Sequence, residues 1–491
     1  MKRGAFFILL AIVLMTKVFV SCMTDENFSA SPQDRLTFSV DTVRFDTVIS
    51  GQGTHTVAFS VYNWNKNGIR IARVWKAQGE SSPFRVSVDA VYIADDMPTD
   101  FRVASGDSLK VFLEMTAPVS GQAVPQEVTD HLCFQLESGA VQEVVMQAYG
   151  QDVDTRRGGW VIDSDTTLSP RIPYQIYDSL VVAENVTLKL EPGTRFYFHN
   201  GAKFIVHGTL LAEGAVNNPI VMRGDRLGNI FTNQAYDQLP GQWDGVTFSG
   251  ESYGNHLNYC DIHGTSTGVV CDSSDISIEK IRIENSILHN TNGNCLQLVH
   301  CKSFVGNTQL TNARSNCVML VGGDHQFVHC TIGSFYGFDL RDGVALYFTN
   351  YHDGVEVPLH RAEFYNCIIT GLSDDELLGE SSDNEACAFN YYFASCLLDT
   401  PQFEDENVTD CLWDTEDNPV CRDQNFQFDV DRLNYSFQLD SLSIARGTAD
   451  PVISQQYYPA DRSGVERSGA PDMGCYQSIY TQAADTYARK K

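Results

Sequence analysis

The sequence predicts an all-β protein: an antiparallel β-sandwich followed by a solenoid of stacked β-coils. Three observations lead there. Six segments between Leu257 and Thr400 share one pattern: LNYCDIHG, IENSILHN, VGNTQLTN, FVHCTIGS, FYNCIITG and FASCLLDT. Before them, Leu180 to Gly214 reads as alternating strands broken at Pro192-Gly193, Asn200-Gly201 and Gly208. Earlier still, Leu36 to Gly150 holds short period-2 runs between turn-forming clusters.

Aligned on Cys260, Ser286, Thr308, Cys330, Cys367 and Cys396, the six segments form columns. Three positions earlier stands Leu257, Ile283, Val305, Phe327, Phe364 or Phe393. Two positions later stands Ile262, Leu288, Leu310, Ile332, Ile369 or Leu398. Four later stands a turn former: Gly264, Asn290, Asn312, Ser334, Gly371 or Thr400. The spacings are 26, 22, 22, 37 and 29 residues. A unit recurring at that period buries its face by stacking on the next copy. A leucine-rich repeat is excluded, because its Leu-x-x-Leu-x-Leu skeleton is missing.

The earlier region behaves differently. Runs such as Val57–Tyr62, Phe84–Val88 and Leu109–Leu113 alternate apolar and polar residues. Turns such as Asn65-Lys66-Asn67-Gly68 and Ser105-Gly106-Asp107 separate them. That spacing predicts a sandwich over residues 35–152. Phe59 to Gly68, Ser82 to Val86, Gly106 to Leu113 and the Val144–Gly150 strand resemble the immunoglobulin-like modules of bacterial surface proteins. The resemblance implies a spacer and brings no catalytic residues.

The run LKLEPGTRFYFHNGAKFIVHGTLLAEGAVNNPIVMRG and the later Trp243–Phe248 are similar to the opening coils of right-handed parallel β-helix proteins of the pectate-lyase-like group. Asp461, Gly464, Arg467 and Pro471-Asp472-Met473-Gly474-Cys475-Tyr476 resemble the closing signature of many bacterial members. The resemblance implies a β-helix over 179–480. Residues 153–178 then read as a junction and N-terminal cap with Trp160 as its plug, since open coil edges need covering. Residues 481–491 are a polar tail.

The N-terminus reads as a targeting segment. Lys2 and Arg3 precede the apolar run Ala5–Met15, too short to span a membrane. Phe19-Val20-Ser21-Cys22 resembles a bacterial lipoprotein signal. The resemblance implies a signal peptide over 1–21, lipidation of Cys22, and a tether over 22–34. The membrane partner is then reached through acyl chains. Thr24-Asp25-Glu26 resembles the acidic export signal of some Gram-negative surface lipoproteins, which implies an outer-membrane, surface-exposed protein.

Sixty-two Asp and Glu against 34 Lys and Arg give a net charge of −28. That argues against a nucleic-acid partner, which needs clustered cations, and against strongly anionic polysaccharides. Of the 14 cysteines, 13 remain once Cys22 is lipidated, an odd number. Most fall in the small column or, like Cys271, Cys295 and Cys317, at an equivalent place in the next strand, so they read as stacked core thiols. Cys411 and Cys421 are the expected local bridge. No cysteine spacing suggests a metal site.

The galacturonan-hydrolase motifs of this fold do not occur. Asp95-Asp96 and Asp374-Asp375 lie in loops, and Lys280, Arg282 and Lys302 read as solvent-facing. The long interval between Cys330 and Cys367 is the best local candidate for a ligand site. It carries Phe335, Tyr336, Asp339, Arg341, Asp342, Tyr347, Tyr351, His352 and Asp353, whose rings and carboxylates suit a sugar. Asp339, Asp342 and Asp353 offer a Ca2+ alternative with an incomplete ligand set, so no cofactor is expected. The next excursion, Ser373 to Glu385, reads as a solvated acidic loop.

The expected function is therefore a lipid-anchored surface protein whose β-helix contacts a glycan or another surface macromolecule without catalysis. The alternatives are a polysaccharide lyase or glycoside hydrolase, and a structural or adhesin-like protein. Paired carboxylates about 5–9 Å apart in a groove favour a hydrolase. Carboxylates clustered beside Lys or Arg favour a lyase.

Overall fold

A computed structural model describes residues 27–94, 99–231, 234–429 and 434–479. Cys22, the signal segment, Asp95-Asp96 and the polar tail fall outside the described residues. The chain forms two compact units that divide near residue 151.

The first unit is a sandwich of two five-stranded sheets. Alternation decides which side chains turn inward. Phe84, Val86 and Val88 are buried, while Arg85 and Ser87 between them are half-buried. Phe59, Val61 and Val111 from one sheet share a core with Phe45, Phe134 and Met146 from the other. The sandwich is not wholly antiparallel. Thr42–Ile49 pairs in parallel with Val141–Gln151, because the unit's first long strand and its last lie side by side with no hairpin between them.

The second unit is a parallel β-helix. Its strands form three parallel sheets of 11, 9 and 10 strands. A full coil supplies one strand to each sheet: Cys260–His263 to the first, Thr265–Cys271 to the second, Glu279–Glu284 to the third. Leu257, Ile283, Val305, Phe327, Phe364 and Phe393 are buried in a single core, as are Ile262, Leu288, Leu310, Ile332, Ile369 and Leu398.

The coils start before the expected 179. Asp154–Arg156, Trp160–Ile162 and Thr166–Leu168 already pair in parallel with the next coil. The expected cap is thus a short first coil. Trp160 belongs to its strand, 5.7 Å from the Tyr174 ring and beneath Arg156. The coils also end early, at Leu412–Trp413. Beyond them the chain turns back, and its closing segment packs against the outside of coils already formed. Phe426 and Phe437 of a hairpin pack on Phe335 and Ile368, and Tyr458 after the helix Pro451–Tyr457 packs on Phe304 and Val328.

The closing signature is the clasp of that return. Arg467, 1% exposed, donates to Asn307 Oδ1 at 2.9 Å on a coil, and to the Gly474, Tyr458 and Ala460 carbonyls. Gly474 has φ +81°, and a Cβ there would meet Thr331 Oγ1 at 2.6 Å. A side chain therefore fits neither its backbone nor its space.

The small column does more than fill space. The Cys260 amide donates to Ser286 Oγ at 2.9 Å, and the Ser286 amide to Thr308 Oγ1 at 3.3 Å. The Cys330 amide donates to Cys367 Sγ, and the Cys367 amide to Cys396 Sγ, both at 3.4 Å. Cys, Ser and Thr interchange because each is small and presents an acceptor. The described cysteines are all free thiols, including Cys411 and Cys421, so the expected bridge is not formed. Cys411 instead continues the thiol column beside Cys396. Lys280 also departs from expectation. It is fully buried, and its Nζ donates to the Ser249 and Ser252 carbonyls, which satisfies a cation that the strand pattern alone would place outside.

Candidate functional site

The outer face of the first sheet carries two columns, because alternate side chains point outward. One contains Val221, Asp261, Ile287 and Gln309 in register. The other contains His263, His289 and Thr311, with Tyr197 and Arg223 on the preceding coils. Asp261 and His263 are two residues apart on one strand, so they share that face. The excursion between Ile220–Gly224 and Trp243–Phe248 brings in Asp237 from a short 3-10 turn, Tyr236–Gln238.

These groups form one hydrogen-bonded cluster. His263 Nδ1 lies 2.7 Å from Asp261 Oδ1, and its Nε2 lies 2.5 Å from Asp237 Oδ1. Arg223 reaches the same Asp237 oxygen at 2.8 Å. His289 Nε2 lies 3.3 Å from Asp261 Oδ1, and the two imidazole centroids are 4.7 Å apart. Burial pushes the His263 imidazole down, but the Asp261 and Asp237 carboxylates outweigh it and lift the group to about 9. Burial pushes Asp261 up, but the His263 charge and hydrogen bonds from both imidazoles hold it well below the usual carboxylate range. Burial likewise opposes ionisation of Asp237, and His263 and Arg223 reverse that too.

A cavity of about 300 Å3 adjoins this cluster. Its floor is His289, Gln309 and Thr311 of the sheet, with Asn290 and Asn312 of the turns beside it. Phe338 forms one wall, Ser436, Phe437 and Gln438 of the returning hairpin another, and Tyr476 of the closing signature a third. Gln309 donates to Thr311 Oγ1 at 2.9 Å and accepts from Tyr476 Oη at 2.7 Å, so the floor is held in one orientation. Aromatic faces beside amides and hydroxyls match the alternating apolar faces and hydroxyl edges of sugar rings.

The residues expected from the long interval do not gather in one place. Tyr336 is buried, donates to Asn292 Oδ1 at 3.0 Å and meets Phe338 edge-on, so it backs the cavity wall. Phe335 packs into the hairpin core. Arg341 makes a two-pronged pair with buried Glu376, at 2.8 and 2.7 Å, which ties two coils together. Asp339 is exposed and accepts from the Leu340 amide, and Asp342 accepts from Ser315 Oγ. Tyr347 donates to Glu380, one coil along. Tyr351, His352 and Asp353 lie at the exposed tip of a separate hairpin. Among the described residues, the donors that converge within 4.8 Å are Asp261, His263 and His289, not Asp339, Asp342 and Asp353.

A second carboxylate pair, Asp399 and Asp414, shares Thr370 Oγ1 at 3.3 and 2.8 Å. Both are buried, and Asp414 also accepts from the Arg422 amide and from Asn425. This pair is enclosed. The sequence does carry the signal for the open cluster. Asp261 and His263 sit inside the first repeat, CDIH, and His289 sits one coil later at the His263 column position. Reading those columns for packing alone passes over them.

No protein-family model matches the chain, and no curated protein matches it. Solved structures similar to it include the catalytic domain of a GH87 alpha-1,3-glucanase in complex with nigerose, at 10% identity and a TM-score of 0.30. That match covers 74% of this chain and 87% of the glucanase domain. Pectate lyase Pel9A follows at 12% identity and a TM-score of 0.24, covering 67% of this chain and 88% of the lyase. An ASH/PapD-like domain of human CEP192 matches 27% of this chain and 90% of its own length, at 12% identity and a TM-score of 0.17. Likenesses this low carry no argument about activity. The β-helix rests on the strand pairing itself.

Proposed function

We propose that the chain is a lipid-anchored, surface-exposed outer-membrane protein that binds an uncharged glycan in the cavity over the first sheet of its β-helix. The sandwich serves as an immunoglobulin-like spacer. One observation carries the binding reading: the cavity is walled by Phe338, Phe437 and Tyr476 and floored by the His289 imidazole, amides and a hydroxyl, with no carboxylate among its lining residues. That wall supports recognition of hydroxyls rather than hydrolysis by paired carboxylates. Asp237 and Asp261 stand behind it, each committed to His263.

A glycan panel incubated with the chain lacking residues 1–22, followed by product analysis, tests this reading. Neutral oligosaccharides bind without turnover. Phe338→Ala weakens that binding about tenfold, the scale of one lost aromatic contact. Turnover of any panel member overturns the non-catalytic part and favours the lyase or hydrolase alternative. Absence of binding across the panel favours an adhesin-like role.

A further inference from the structure

We propose that Asp261, His263 and His289 form a binding site for a zinc-type divalent metal ion, with one coordination position open to the cavity. The proposal does not rest on the glycan reading. Each residue offers one donor atom, and the three lie within 4.8 Å of one another. Two imidazoles and a carboxylate are a borderline nitrogen and oxygen set, which suits zinc and its neighbours rather than calcium. Asp261 Oδ1 and His289 Nε2 are 3.3 Å apart. Two ligands on a tetrahedral ion with bonds of about 2.0–2.1 Å stand about 3.3–3.4 Å apart, so that edge needs no rearrangement. Asp261 Oδ1 and His263 Nδ1, at 2.7 Å, share a proton. A metal ion would displace that proton and move the two donors apart by about half an ångström.

The surroundings are built as a metal site requires. A ligating histidine usually gives its other ring N–H to a carboxylate, which fixes its tautomer and orientation. Here His263 Nε2 lies against Asp237, which Arg223 holds in turn, and this leaves Nδ1 to face Asp261. Trp243 Nε1 donates to the His263 carbonyl at 2.9 Å and fixes the strand from the other side. His289 belongs both to the trio and to the cavity floor, so a fourth ligand, water or a small oxygen donor, would enter from there. Three protein ligands leave one position for an exchangeable ligand, unlike a closed four-ligand structural site.

The experiment titrates chelator-stripped protein with Zn2+ by calorimetry and with Co2+ by visible absorption. One equivalent of Zn2+ binds, and Co2+ gives the intense bands of a four-coordinate site. His289→Ala and Asp261→Asn each lower the affinity roughly 100-fold, and Asp237→Asn roughly tenfold, the range for a lost outer carboxylate. Asp342→Asn, away from the trio, leaves it unchanged. His289 is partly exposed and not part of the hydrophobic core, and thermal unfolding confirms that its variant is folded. A wild-type chain that takes up no Zn2+ overturns the proposal. So does a folded His289→Ala variant that binds as tightly as wild type, which would place the ion elsewhere.

Discussion

Asp399 shows how a single residue on the outer face of the first sheet departs from its ordinary chemistry. Burial raises its carboxyl, and the neighbouring Asp414 carboxylate raises it further, from 3.8 to about 7, against the pull of the Gly371 amide and Arg422. The folded chain therefore binds this proton more tightly than the unfolded chain does. Stability is greatest below the unfolded value and falls as pH rises through the folded one. The contribution amounts to at most about 4 kcal/mol between pH about 4 and about 7. Asp399→Asn flattens that slope, measured as the difference in urea midpoint at the two ends of the window. An unchanged slope would mean the carboxyl ionises freely in the fold. This pair was not legible in the sequence. Asp399 stands at the edge of the last repeat and Asp414 beyond it, and only the coil stacking sets them over one threonine. Lys280 is hidden for a related reason: the strand register shifts between Glu279 and Ile281, so alternation fails at that residue and its Nζ reaches the Ser249 and Ser252 carbonyls.

At the scale of one coil, the turn before the small column repeats a left-handed residue. Tyr259, Asn285, Asn307, His329, Asn366, Ser395 and Asp410 all have φ between 49° and 54°. Asparagine tolerates that region and also builds a ladder: Asn307 donates to Asn285, and Asn285 to Asn258. Ser395 bears the strain without a ladder partner of that kind. Ser395→Gly raises stability by about 0.5–1 kcal/mol, and Ser395→Val lowers it by about 1–2 kcal/mol. Thermal unfolding of the two variants checks the pair, and equal shifts of one sign would contradict the account. The columns for apolar, small and turn residues were legible because stacking demands identity of kind at each coil. The left-handed column was hidden by its mixed composition, and only backbone geometry unites Tyr259 with Asn307. The Cys411–Cys421 bridge failed because Cys411 was already spent on the thiol column.

At the scale of the molecule, two units with separate cores, a sandwich and a solenoid, were legible from a change of period, 2 in the first and about a coil in the second. The return of the chain along the coils was not, because its closing signature looks like one more coil until Arg467 is seen clasping Asn307. That return completes the cavity: Phe437, Gln438 and Tyr476 are distant in sequence from Gln309 and His289, so no local pattern could announce the site. The proposed lipid anchor would likewise act on the whole molecule. Cys22→Ser moves the protein from the detergent-rich to the aqueous phase in detergent partitioning, and continued partitioning with detergent would contradict lipidation at that residue. The central claim, glycan recognition in the first-sheet cavity, is tested most directly by calorimetry of a panel glycan with Gln438→Trp, which fills the cavity from its half-exposed rim. This folded variant is expected to lose binding at least tenfold. Wild-type affinity in that variant would contradict the claim.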